Sequence, residues 1–220
     1  MSGRILLLLL LCVVGEARAD GTVADAERVR LSVEMERLAS RQAWNGVERK
    51  YIQLMELGIE LEASDHLHGA HSARELGDIQ GCHDRLRRVI AIDATREVVD
   101  WLWDIDNNYG HVVLRTGSSR AAVLERMEIP FDPNQRRAIE TAIERAREDA
   151  SFSGLLPTGD YVFAGQQFQV SPGVSVTIDI SARVRRQGLV EPVIVYHDRP
   201  AIYLEQEGTT SGEESGESAE

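Results

Sequence analysis

Cysteine is nearly absent from this 220-residue chain. There are two, Cys12 and Cys82, and only Cys82 lies outside the N-terminal segment read below as a leader. The processed chain then has no pair to form an intramolecular disulfide, and its lone thiol is either buried or a partner for another chain. Basic residues are also scarce: 24 Lys and Arg stand against 36 Asp and Glu, a formal net charge of −12. A general nucleic-acid binder needs cations to displace phosphate counterions, so no nucleic-acid partner is expected. Long apolar runs are missing beyond the first few residues, so no membrane span is expected in the mature chain. No glycine-rich phosphate loop occurs, and Ser151, Ser153 and Ser171 lack the context of a nucleophile elbow.

The N-terminus reads as a removed secretory signal over residues 1–19. Arg4 supplies a positive start, and Ile5 to Val14 is an apolar run too short to span a bilayer. Ala17-Arg18-Ala19 has the small-x-small form of a signal-peptidase site. Leu11 precedes Cys12 where lipoprotein signals carry Gly, Ala or Ser, which argues against lipid on Cys12. Residues 205–220, EQEGTTSGEESGESAE, have almost nothing apolar and are expected to form a disordered acidic tail.

Between these ends the sequence echoes itself at a spacing of 35. Gln42 aligns with Gly77, Val47 with Cys82, Tyr51 with Leu86, Leu54 with Val89 and Leu57 with Ile92; upstream, Met35 aligns with Ala70 and Leu38 with Ala73. After the turn the apolar members recur at steps of three and four, the mark of one helical face. Self-similarity at this period points to helical hairpins. The expected helices run from about 24 to 40, 43 to 57, 65 to 76 and 79 to 92. TREVVDWLWDID, residues 95–106, adds a closing helix with Thr95 as N-cap and Val98, Leu102 and Ile105 as its stripe. Trp101 and Trp103 point about 200° apart on such a helix, so one is expected to face this core and the other the next domain.

RQAWNGVERKYIQLMELG and LGDIQGCHDRLRRVIAID resemble the turn and second helix of tetratricopeptide (TPR) repeats, over residues 24–93. The family's Trp-x-x-Leu-Gly pattern is absent from the first helices. The resemblance implies a groove that binds a peptide or partner protein, here an unidentified envelope component.

From Tyr109 the period changes from 3.6 toward 2. GHVVLRTG reads as a strand and AAVLERMEI as a possible second. A helix is expected at about 133–149, with Asp132 as cap and Pro133 at its first position. Short strands follow at Tyr161–Phe163, Gln167–Val170, Val174–Ile180, Val193–Tyr196 and Ala201–Leu204, punctuated by Pro and Gly. LLPTGDYVF and FQVSPGVSVTIDI resemble PEGA-type β-sandwich modules of bacterial envelope proteins. That resemblance implies a presenting scaffold without chemistry of its own. The expected fold class is α+β: a TPR-like helical domain over 20–106, then a β-sandwich-like domain over 107–204 with an inserted helix.

Six histidines remain to be placed, three of them in SDHLHGAHSARELGD, residues 64–78. On one helix His66 and His68 diverge, whereas His68, His71 and Glu75 fall within about 60° of one another. They are the candidate ligands of a divalent metal, with His83 or His111 as a possible fourth. The competing reading is a helix that happens to carry histidines, flanking its small packing residues Ala70 and Ala73. This second reading is preferred, so no metal or other cofactor is expected. Cys82-His83 is read as a buried small residue beside an unrelated imidazole. DIDNNYG at 104–110 is read as a helix end rather than a calcium loop, because Arg115 stands where an EF-hand would need Glu. The function expected is that of an exported, non-enzymatic protein of a Gram-negative-type periplasm or outer envelope, acting in protein–protein contact or assembly. Arg49, Gln53, His71, Arg74 and Glu75 are the candidate groove contacts. The alternatives are the metal site and a cell-wall glycan binder using Tyr161–Phe163. Oligomeric state is left open.

Overall fold

Helices come first because the apolar residues come first at steps of three and four. The computed structural model describes residues 23–180 and 193–198. Helix α1 covers 23–39, followed by α2 (Trp44–Glu56), α3 (Ala63–Glu75), α4 (Ile79–Ile92) and α5 (Arg96–Asn108). The β-rich part then begins: β1 (Tyr109–Arg115), a 3-10 turn (Ser119–Ala121), β2 (Leu124–Arg126), α6 (Pro133–Asp149), β3 (Ser151–Pro157), β4 (Gly159–Phe163), β5 (Gln166–Val170), β6 (Val174–Asp179) and β7 (Val193–Asp198). The fold class is α+β. No helix among the described residues is long and apolar enough to cross a membrane. The expected leader, the strand at Ala201–Leu204 and the acidic tail lie outside the described residues.

Positions 35 apart share their surroundings. Met35 and Ala70, Val47 and Cys82, Tyr51 and Leu86, and Leu54 and Val89 are all buried, as are Leu31 and His66. Both turns are closed by a left-handed residue, Gln42 at φ 56° and Gly77 at φ 78°. The last pair diverges: Leu57 packs against its cluster, whereas Ile92 is 48% exposed. The first hairpin packs as one cluster of Leu31, Met35, Val47, Tyr51, Leu54 and Leu61. The second packs with α5, through Ala70, Ala73, Cys82, Leu86, Val89, Val98 and Leu102.

That second cluster also takes in Tyr109 of β1, Ala138 of α6 and Leu155 of β3, so apolar packing continues from the helices into the β-rich part. Polar contacts reinforce the junction. Arg137 of α6 donates to the Glu75 carbonyl at 3.0 Å and pairs with its carboxylate at 2.7 Å. Thr141 donates to the Leu76 carbonyl at 3.0 Å, and Arg145 reaches Asp78 at 3.3 Å. A helix C-terminus leaves carbonyls without intrahelical donors; α6 supplies donors to those of α3.

Two sheets form the β-rich part. One has the order β3-β1-β6-β7 and the other β2-β4-β5. All pairings are antiparallel except β1 with β6, which run parallel with Val112 opposite Val176. Their inner faces meet α6 in one core that includes Val112, Leu114, Ile139, Ala142, Phe152, Leu156, Tyr161, Phe163, Val176 and Ile178. Helix α6 has the expected ends, with Asp132 accepting from the Asn134 amide and Pro133 in the first turn.

Several local expectations change. Strand β3 was not anticipated, and β2 is only three residues long where a longer strand was expected. Thr95 sits at the N-cap of α5 but its side chain makes no capping bond. Trp101 is half-buried against the second cluster, but Trp103 is 63% exposed and does not bury itself on the β-rich part. Asp104 lies within α5, its carboxylate and carbonyl both bonded by the Asn108 amide, so the helix accounts for DIDNN.

Candidate functional site

The sequence-derived candidates occupy three places. Arg49 and Gln53 are exposed on the outer face of α2. Ile52, one turn from Arg49, is 47% exposed, whereas Met55 turns toward α4, where its Sδ accepts from Arg88 at 3.3 Å. This face therefore mixes a cation, an amide and an apolar side chain, all toward solvent.

His71 and Arg74 lie on α3 against α5. The His71 ring sits 4.7 Å from that of Trp101, tilted by 41°, and the Arg74 guanidinium lies 5.3 Å from the same indole. Burial holds the His71 imidazole below its ordinary pKa, and the neighbouring His68 adds to the effect. Glu75 is at the junction described above, in the grip of Arg137. Among the described residues no hydrogen bond, ion pair or ring contact links Arg49 or Gln53 to His71, Arg74 or Glu75, so they form separate patches.

The same geometry bears on the metal alternative. Glu75 is bonded to a cation, and His71 is stacked on an indole. His83 Nε2 lies 3.1 Å from Asp106, and His111 Nδ1 lies 3.0 Å from Ser175 Oγ. Among the described residues no group of three or more His, Cys, Asp or Glu is arranged to hold a metal ion. Tyr161 and Phe163 are fully buried, and the Tyr161 hydroxyl donates to the Pro157 carbonyl at 2.8 Å. The aromatic strand considered for glycan stacking is core, and these two rings offer a sugar no open face.

The structure adds a polar cluster between α2, α3 and α4 that sequence spacing does not reveal. The two Glu48 oxygens accept from the two terminal nitrogens of Arg85, both at 2.6 Å, and one also accepts from Ser72 at 2.7 Å. Arg85 further donates to the Gly69 carbonyl at 2.6 Å, and its guanidinium lies 4.1 Å from the Tyr51 ring centre. The Tyr51 hydroxyl meets His66 Nδ1 at 3.0 Å. Gly69 allows the close approach, since a Cβ there would come within 2.5 Å of the Tyr51 ring. Burial pushes Glu48 up, but the bonds from Arg85 and Ser72 outweigh it and hold the carboxyl below its usual range. His66 is pushed down by burial, and by Arg88 after it. A charged pair joining α2 to α4, with the Ser72 hydroxyl and the Gly69 carbonyl of α3 bonded to it, thus fixes the mutual register of the three helices. Cys82 is fully buried, and burial pushes its thiol up to about 12, far from a reactive thiolate.

Comparison with family models, with curated proteins and with solved structures returned no match to this chain.

Proposed function

We propose that the chain is an exported, non-enzymatic envelope protein that serves as a protein–protein interaction or assembly scaffold. In this reading TPR-like hairpins bind the partner and a PEGA-like module follows them. The shared burial and the paired left-handed turns at a spacing of 35 support the repeat reading. The observation that carries the function is the outer face of α2. Arg49, Ile52 and Gln53 stand on it at helical spacing, exposed to solvent. Helical repeat proteins engage partners through such mixed faces, although fold alone never names the partner. Inside the bundle, by contrast, Glu48, Arg85 and Ser72 are bonded to one another and His66 to Tyr51, which assigns them to structure.

The test is capture from envelope extract by the full chain, beside Arg49→Glu and Ile52→Glu. The same protein should be retained by the parent and lost by both variants, with melting temperatures unchanged. Equal capture by all three would overturn this face as the binding surface. Metal analysis of the same sample checks the metal alternative.

A further inference from the structure

Where α6 runs into β3, a cleft of about 300 Å³ opens between the end of the helix and the β1–β3 pair. Its polar lining comes from three elements. Arg145 and Asp149 stand on α6, Ser151 and Ser153 on β3, and Arg115 on β1, with Val113 as an apolar wall. The strand register brings these groups together. Arg115 faces Ser151 and Val113 faces Ser153 across the antiparallel pair, and alternation puts all four on one side of the sheet. The corner is fixed as well. Ala150 takes the left-handed conformation at φ 56°, and its carbonyl accepts from the Thr116 amide at 2.9 Å, so the end of α6 is tied to the end of β1. A site held in shape loses little entropy when a ligand enters.

The charges around the cleft are of both signs and do not cancel locally. Arg145 is met by Asp78 at 3.3 Å and forms no ion pair with Asp149, one helical turn further on. Asp179, next to Arg115 in the register on β6, forms no ion pair with it. Among the described residues neither Arg115 nor Asp149 has an ion pair or a side-chain hydrogen bond, and the hydroxyls of Ser151 and Ser153 are likewise without a protein partner. One unpaired cation and one unpaired carboxylate thus border a single cavity from different elements without meeting each other. A lone charge would suit a simple counter-ion. Two of opposite sign, held apart, suit a molecule that carries both signs at a fixed separation. Asp149 is also the last residue of α6, where the free carbonyls of the helix end favour a positive group. The volume lies at the small end of ligand sites, which limits the occupant to the size of an amino acid or a short peptide.

We infer that this cleft binds a small zwitterion of the amino-acid or dipeptide class. Its carboxylate lies on Arg115, its ammonium on Asp149 at the end of α6, its uncharged polar groups on Ser151 and Ser153, and its apolar part on Val113. The cleft is distinct from the α2 face proposed for partner binding, and either can fail alone.

The test is calorimetric titration of the full chain, Arg115→Gln and Asp149→Asn with glycylglycine and L-alanyl-L-alanine. Each dipeptide is used free, N-acetylated and as its C-terminal amide. Both substitutions are at exposed positions, and thermal melts verify folding. The parent should bind at least one of the free dipeptides. Either cap should weaken that binding by roughly tenfold or more, as loss of a charge-assisted hydrogen bond does. In Arg115→Gln the amide cap should cost nothing further, and in Asp149→Asn the acetyl cap should cost nothing further. No binding of either free dipeptide at millimolar concentration would overturn the proposal. So would capping losses that persist unchanged in both variants. Binding of the N-acetyl form as tightly as the free one, lost in Arg115→Gln, would reduce the cleft to a carboxylate site and overturn the zwitterion.

Discussion

The two helical hairpins share a backbone and differ in what surrounds it. In α1–α2 the core is made of large side chains, Leu31, Met35, Tyr51 and Leu54, and the turn at Gln42 is open to solvent. In α3–α4 the equivalent positions hold His66, Ala70, Leu86 and Val89, each smaller than its counterpart, and the turn at Gly77 is covered by α6. Smaller residues let neighbouring elements approach, and that approach converts an ordinary turn into a junction. The same left-handed conformation thus accepts glutamine in one hairpin and demands glycine in the other. The demand comes from the neighbour rather than from the turn.

The largest expected effect follows from that difference. Gly77→Ala places a Cβ within 2.4 Å of Thr141 Oγ1 and 2.6 Å of the Arg137 carbonyl, at a φ that L residues rarely adopt. Strain and overpacking together should cost about 3–5 kcal/mol in denaturant unfolding. Gln42→Ala, at the corresponding turn, should change stability by less than about 0.5 kcal/mol, as surface substitutions do. Equal losses at the two positions would break the comparison.

A smaller effect is expected from acid. His66 and His71 both lie on α3, and burial depresses both below the ordinary 6.5. Below pH 6.5 the unfolded imidazoles take up protons that the folded ones refuse, so stability is full above 6.5 and falls as the pH drops beneath it. Glu48 adds a second loss, beginning below its ordinary 4.5 and complete once the pH has passed its lowered folded value. Urea unfolding between pH 8 and 4 should show the first decline, and His66→Leu, which installs the residue of Leu31, should make it shallower. An unchanged slope in that variant would detach His66 from the effect.

The smallest expected effect is none. Zinc should leave the melting temperature of the protein unchanged, because Glu75 is bonded to Arg137 and His71 is stacked on Trp101. A rise that saturates with zinc and disappears in His68→Ala/His71→Ala would restore the metal alternative.

What the sequence disclosed depended on the range of each interaction. Helices α2 to α4 were legible to within two residues, because steps of three and four record a buried face locally. Helix α6 was legible through Asp132 and Pro133. Strand β3 was not, because Leu155, Leu156 and Pro157 are buried in succession and leave no alternation to read. Among the candidates, exposure of Arg49 and Gln53 followed from the apolar stripe on the opposite side of α2. The Glu48–Arg85 pair and the Arg137–Glu75 pair join residues 37 and 62 positions apart, which no local period announces.

The parallel pairing of β1 with β6 has a consequence for the order of events during synthesis. The helical hairpins can close as soon as their own residues are available, because their contacts are local. Strand β1 cannot complete its sheet until Val174–Asp179 has been made, 59 residues after Arg115 at the earliest. Pairings of such separation form late, since loop-closure entropy must be met first. In the interval β1 has β3 on one side and an open edge on the other, and open edges invite pairing with other chains. The nascent chain is therefore most vulnerable to aggregation after its helical part has folded and before β6 has emerged, and a stall within residues 158–173 would hold it there.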